Sequence, residues 1–464
     1  MLETMGWISL IPMLLAIILA LTTRNTVFSL SLACIVGCFL AGKGIWGFTD
    51  LLQSALGNAD FIWAAMNIIF FGVLVSYFEY SGAIDGFTRL MHKCNLKRRG
   101  VQLMAWFLGL FCFADSMSPL FVGSVMRKLS DSAKISREKL SYIADSTAAP
   151  VSVLYPFTGW ASYLTGLAVG VGCIAERDDA FKLMLYAIPF NFYSIGSVLM
   201  VALIAVGAVK DFGPMKKAEQ RAEIEGKLLR DGAVPLSGEN DADIIPTIKE
   251  RIILNFILPT ILLLTIAIGA FVVIGSVKVI ESVTLVIILM SISFLIQGMS
   301  LAELNQAFLN GIKGSVPALM VLAAAYPLNA LSKEMGAANY IINVTQTFLS
   351  PAVLPFAIFI ICAVLAFATG TSWGTFAIAM PLALPLAFNA SGNQVTLLTI
   401  ACFAAVAGGG VFGDHCSPLS DTTIMASMGA GSDHIDHVKT QLPYALTVAG
   451  ISAVLYLVIG FSAL

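Results

Sequence analysis

Polar positions are sparse along this chain, and the apolar runs between them have the length of membrane spans. About 20 consecutive apolar residues carry a helix across a bilayer. Runs of that kind lie near 6–23, 25–42, 60–82, 181–209, 251–274, 278–298, 315–333 and 442–463. Four further apolar stretches, 101–126, 139–175, 352–388 and 396–431, are interrupted in the middle by Gly, Pro, Ser, Thr or Asp. Irregular backbone at membrane depth survives only where protein or a water-filled cavity satisfies its polar groups. These four stretches therefore attract the functional hypothesis. The run from Trp7 to Leu21 lacks a basic leader and a small-residue cleavage site, which predicts a first membrane helix rather than a signal peptide.

Charged loops orient the pattern. His92 to Arg99 is basic, as is the stretch holding Arg127, Lys128, Lys134, Arg137 and Lys139, and 210–250 is a long polar linker of mixed sign. Positive residues favour the cytoplasm. All three segments reach it only if 101–126 enters the membrane and returns as a re-entrant hairpin, and 139–175 then crosses once as a broken helix. Traced likewise, 352–388 is a second hairpin and 396–431 a second broken helix. The tracing predicts about ten crossings, two hairpins and both termini outside.

The two parts also resemble each other. Gly47 to Leu56 aligns with Ser300 to Leu309, and at almost the same offset Phe113-Ala114-Asp115-Ser116-Met117-Ser118 falls on Phe367-Ala368-Thr369-Gly370-Thr371-Ser372. Asp145-Ser146-Thr147 resembles Asp414-His415-Cys416-Ser417. The expected fold is an all-α polytopic membrane protein with two inverted-topology repeats, each holding a re-entrant hairpin and a broken transmembrane helix. Its divisions are 1–209, the cytoplasmic linker 210–250, and 251–464.

Composition agrees with lipid as solvent. Of 464 residues, 58% are hydrophobic and only 12% charged, about half the charge of a soluble domain. A formal net charge of −2 gives no argument for nucleic acid. The eight cysteines show no CxxC pairing and read as small apolar packing residues. Without a phosphate-binding loop, ATP-driven transport has no support, and no catalytic constellation argues for an enzyme or a cofactor.

The candidate chemistry falls on the interruptions. Gly408-Gly409-Gly410 runs on through Asp414-His415-Cys416-Ser417-Pro418 to Ser420-Asp421-Thr422. Glycines there permit unusual backbone, and Pro418 frees carbonyls. Hard cations take such oxygen ligands. An ionisable group inside the membrane is a functional candidate by default, which singles out Asp145 and Asp414 as carboxylates shared between Na⁺ and H⁺. Asp115, Asp421, Ser146, Thr147, Ser417 and Thr422 are expected to complete the cation shell. The hairpin tips and breaks, with Ser116, Ser118, Thr369, Thr371, Ser372, Trp160 and Trp373, are expected to line a substrate pocket. Asp433-His434-Ile435-Asp436-His437 reads as a solvated helix start rather than a metal site.

Three segments resemble the NhaC-type Na⁺/H⁺ antiporter family: Ile135 to Val151, Gly370-Thr371-Ser372-Trp373-Gly374-Thr375-Phe376, and Phe412 to Thr423 running on through Asp433 to Tyr444. The resemblance implies antiport or Na⁺-coupled transport in the bacterial inner membrane. Some members of the family are thought to move organic solutes, so Na⁺- or H⁺-coupled movement of an amino acid or carboxylate is the alternative. The first hairpin departs from typical cation exchangers, which carry a longer acidic and aromatic run there. The expected partners are the lipid bilayer, Na⁺ and H⁺. The transporter class also admits a homodimer, although no interface is legible in the residues.

Overall fold

With so little polar surface, the backbone has to satisfy its own N–H and C=O groups, and the chain does this by forming helices. A computed structural model describes residues 5–23, 25–83, 86, 89, 96–111, 118–156, 158–236, 248, 251–274, 278–337, 340 and 350–463. Its first part holds α1 Ile11–Thr23, α2 Thr26–Leu40, α3 Trp46–Leu56, α4 Ala59–Tyr80, α5 Arg98–Phe111, α6 Ser118–Ser132, α7 Arg137–Ser146, α8 Ala149–Ser152, α9 Gly159–Ala168, α10 Arg177–Ala187 and α11 Phe192–Val206. A short α12, Gly213–Gln220, follows. The rest holds α13 Leu258–Ile274, α14 Val279–Ile296, α15 Leu301–Glu334, α16 Leu354–Thr369, α17 Ser372–Ala390, α18 Leu397–Cys416, α19 Asp421–Ala430 and α20 His434–Ser462. Strand-like pairing among the described residues is limited to two isolated bridges, Val171 with Ile174 and Pro235 with Asp433.

Among the described residues, five helices are long and apolar enough to cross a bilayer: Val279–Ile296, Pro351–Thr369, Ser372–Ala390, Leu397–Cys416 and His434–Ser462. Their outer faces suit lipid. Leu285, Ile288, Leu289 and Ile292 on α14 are exposed, as are Leu446, Ile451, Val454 and Val458 on α20. The chain is a multi-pass membrane protein.

Two expectations about spans need correcting. The run 181–209 is not one straight span: α10 and α11 form a pair bent by 44°. Pro189 lies at the bend and lacks a backbone donor, and Asn191 starts the new helix by accepting from the Ser194 amide at 3.4 Å. The span expected at 315–333 begins earlier, as the 34-residue α15. Ser300 and Glu303 cap it reciprocally, with Glu303 N to Ser300 Oγ at 3.2 Å and Ser300 N to Glu303 Oε2 at 2.7 Å.

The interruptions fall where expected. Ser417–Ser420 separate α18 from α19, and 147–148 separate α7 from α8. Gly370, left-handed at φ 69°, ends α16 just before α17. Residues 112–117, the expected tip of the first hairpin, lie outside the described residues, between the helices α5 and α6.

The glycine run near 408 corrects another expectation. It lies within the regular helix α18 and permits close packing rather than unusual backbone. A Cβ on Gly413 would come 2.1 Å from the Phe367 amide of α16. That approach packs α16 tightly against the helix carrying Asp414.

The segment after α11 folds onto the helix starts rather than hanging free. Glu219 accepts from Arg98 at 2.7 Å and from the Ser136 amide at 2.9 Å. Arg221 reaches Glu138 at 2.8 Å, Arg230 reaches Asp436 at 2.8 Å, and the Val234 amide donates to Asp433 at 2.9 Å. Asp211 takes both Lys139 and the Tyr444 hydroxyl. The starts of α7 and α20 are thereby tied together.

Candidate functional site

The core divides into two apolar clusters, one around α4, α6, α7 and α15, the other around α9, α10, α16, α17 and α18. Polar side chains of α7, α18, α19 and α20 gather between them, and almost all of these are fully buried.

The break in α18–α19 leaves carbonyls without helical partners, and side chains answer those of Asp414, His415 and Pro418. Asp414 O accepts from Thr422 Oγ1 at 3.3 Å and Thr423 Oγ1 at 3.0 Å. His415 O accepts from Gln441 Nε2. Pro418 O lies 2.9 Å from His434 Nε2, whose other ring nitrogen meets Ser427 Oγ at 3.0 Å. Ser417 turns its hydroxyl outward from the break to Phe367 O, at 2.7 Å. Three of the freed carbonyls expected as cation ligands are therefore already hydrogen-bonded.

The two carboxylates differ. Asp414 is held on both oxygens, by Ser372 Oγ at 2.5 Å on Oδ2 and by Ser420 Oγ on Oδ1. Asp145 uses one oxygen only. Its Oδ2 takes Gln441 Nε2 at 2.9 Å and His437 Nε2 at 3.2 Å, while Oδ1 receives no hydrogen bond. The helices meet again at His415. Ser146 Oγ lies 2.8 Å from its Nε2, and Tyr193 OH lies 2.7 Å from its Nδ1. Asp145, Ser146, Ser372, Asp414 and Thr422 thus come together from elements far apart in sequence.

Other expected residues stand elsewhere. Thr147 bonds back to Ile143 O at 2.8 Å, so its hydroxyl hydrogen serves its own helix. Thr369 bonds back to Leu365 O at 2.8 Å, and the Thr371 carbonyl accepts from Thr375 at 3.0 Å. Ser118 is buried at the start of α6, and Asp421 is half-buried at the start of α19. Trp160 and Trp373 face each other with ring centroids 5.6 Å apart, and Tyr163 lies 4.7 Å from Trp373, forming an aromatic cluster of α9 and α17. Asp115 and Ser116 lie outside the described residues.

The solvated start expected at Asp433–His437 is corrected outright. Asp433, His434, Asp436 and His437 are all buried. The segment's polarity is met by the break, by Asp145, and by Arg230 and Val234 of the docked linker. His434, His437 and Gln441 occupy one face of α20 at helical spacing. That polar stripe on an otherwise apolar helix was the available signal for them.

Buried carboxylates thus lie at helix breaks in an almost entirely helical membrane fold, and the relatives of the chain make its class that of secondary transporters. The chain belongs to the Na⁺/H⁺ antiporter family, whose profile matches residues 151–461. An uncharacterized protein of Haemophilus influenzae is 33% identical over 98% of this chain and 91% of its own. The malate-2H⁺/Na⁺-lactate antiporter of Bacillus subtilis is 32% identical over 35% of this chain and 34% of its own. The Na⁺/H⁺ antiporter NhaC of Alkalihalophilus pseudofirmus is 27% identical over 34% of each chain.

Proposed function

We propose that this chain exchanges Na⁺ for H⁺ across the bacterial inner membrane by alternating access, with buried carboxylates carrying either ion. The observation that carries the proposal is the meeting of Asp145 and Asp414, one at each break, linked through Ser146 and His415. A carboxylate inside the membrane is costly unless it is neutralised by a proton or a cation. Exchange follows when the same oxygens accept one or the other.

The inverted repeats and re-entrant hairpins belong to the same proposal, with divisions at 1–209, 210–250 and 251–464. The element register supports them: α6 starts at Ser118 and α17 at Ser372, while α3 with α4 covers Trp46 to Tyr80 and α15 covers Leu301 to Glu334. A second reading is coupled movement of a small carboxylate or amino acid. It draws on the Bacillus subtilis relative's name and on the aromatic cluster of Trp160, Tyr163 and Trp373.

Proteoliposomes with an imposed Na⁺ gradient and an interior pH dye separate the two. Na⁺ alone should move protons, and Asp414→Asn should abolish the coupled flux. If Na⁺ alone is silent and adding a dicarboxylate or amino acid restores flux, the organic-solute reading replaces exchange.

A further inference from the structure

The family assignment does not say where in the site the cation sits, and the hydrogen-bond directions discriminate between the two carboxylates. Asp414 accepts one serine hydroxyl on each of its two oxygens. Around Asp145 the opposite holds. Gln441 points its amide nitrogen at two acceptors, Asp145 Oδ2 and His415 O, which fixes the amide's orientation and leaves Oε1 without a donor. His437 Nε2 faces the same carboxylate oxygen, so its hydrogen sits there and Nδ1 is an acceptor, likewise without a donor. Thr422 and Thr423 place their hydroxyls within reach of both the Asp145 carboxylate and Asp414 O. A threonine hydroxyl has one hydrogen and two lone pairs, so with that hydrogen on Asp414 O each oxygen can serve as a cation ligand beside Asp145.

Asp145 Oδ1 and Gln441 Oε1 are thus buried oxygen acceptors, on two side chains in direct contact, that no protein donor meets. Native structures rarely leave such groups unmet. An all-oxygen set of carboxylate, amide and hydroxyl is the donor chemistry of a hard cation.

We propose that the transported Na⁺ binds at Asp145 Oδ1, with Gln441 Oε1, Thr422 Oγ1 and Thr423 Oγ1 as further ligands, and that Asp414 shapes the break without holding the ion. His437 is a positioning residue that fixes the carboxylate through Oδ2. The inference rests on Na⁺ being a transported ion and narrows that reading from two carboxylates to one. It also brings in Gln441 and Thr423.

The test is a Na⁺ titration of the purified full-length protein in detergent, with choline holding ionic strength constant and the thermal midpoint as readout. Wild type should be stabilised by Na⁺ and not by choline. Thr423→Val and Gln441→Leu should need about ten- to a hundredfold more Na⁺ for the same shift, the range seen when one group near a metal is lost. Thr423→Ser, which keeps the hydroxyl, should stay near wild type and guards against a merely misfolded variant. If wild type responds and Thr423→Val and Gln441→Leu respond identically to it, the inference is overturned while exchange stands. A half-saturation that moves in Ser372→Ala but in neither of those variants puts the ion at Asp414 and also overturns it. A wild type with no Na⁺ response and no Na⁺-driven proton flux removes the exchange reading itself.

Discussion

At the scale of single residues, His434 shows how a broken helix is made affordable inside a membrane. Pro418 cannot continue the helical ladder, and its carbonyl would otherwise lie buried without a donor. The ring of His434 spans from that carbonyl to Ser427 on α19, one nitrogen to each. Losing the ring leaves the buried Pro418 carbonyl unmet, while Ser427 keeps its bond to Thr423 O at 2.8 Å. His434→Ala should destabilise the protein by about 1–3 kcal/mol, the usual cost of a buried unsatisfied group. Gln at the same position should recover part of the loss. Thermal unfolding in detergent reads both, and an unchanged midpoint in the alanine variant would show that the carbonyl finds another donor.

At the scale of elements, much was legible from hydropathy and interruption. The breaks at 147–148 and 417–420 fall inside the stretches expected to hold them. Pro, Ser and Asp in an apolar run interrupt or cap a helix and are costly to turn toward lipid, so they mark a break buried within the protein. Asp145 and Asp414 stood out for the same reason. What local sequence could not supply were partners that arrive from hundreds of residues away. Asp433 to His437 looks water-facing because its charges are dense, yet Arg230, Val234 and Asp145 satisfy it inside the protein. The glycines of α18 carried a similar ambiguity, since a glycine needed for unusual backbone and one needed for close packing are the same letter. Here packing decides. A Cβ on Gly413 would strike the backbone of α16 at Phe367 and Ala366, which cannot rotate away as a side chain can. Gly413→Ala should therefore force α16 from α18 and cost about 1–3 kcal/mol or more. A lowered thermal midpoint checks this, and wild-type stability would mean that the helices separate easily.

For the whole molecule, the proposed alternating access raises the question of which parts move together. Asp145 sits on α7, while His437 and Gln441 sit on α20. The docked linker grips both helices: Asp211 takes Lys139 and Tyr444, while Arg221 and Arg230 take Glu138 and Asp436. Ser141 of α7 also meets Ser432, just before α20, at 2.7 Å between hydroxyl oxygens. Each of these pairs joins a largely buried partner to a partly exposed one, and a cycle that parted α7 from α20 would lose many contacts at once. Carrying α7, α20 and the linker as one unit keeps them all. Covalent closure tests this directly. Cysteines at Ser141 and Ser432, oxidised in the purified protein, should form a disulfide readily, and proteoliposomes holding the cross-linked transporter should keep most of their Na⁺-driven proton flux. Loss of flux on oxidation, restored by reduction, would mean that α7 and α20 separate in every cycle and that the linker is a latch rather than part of the moving body.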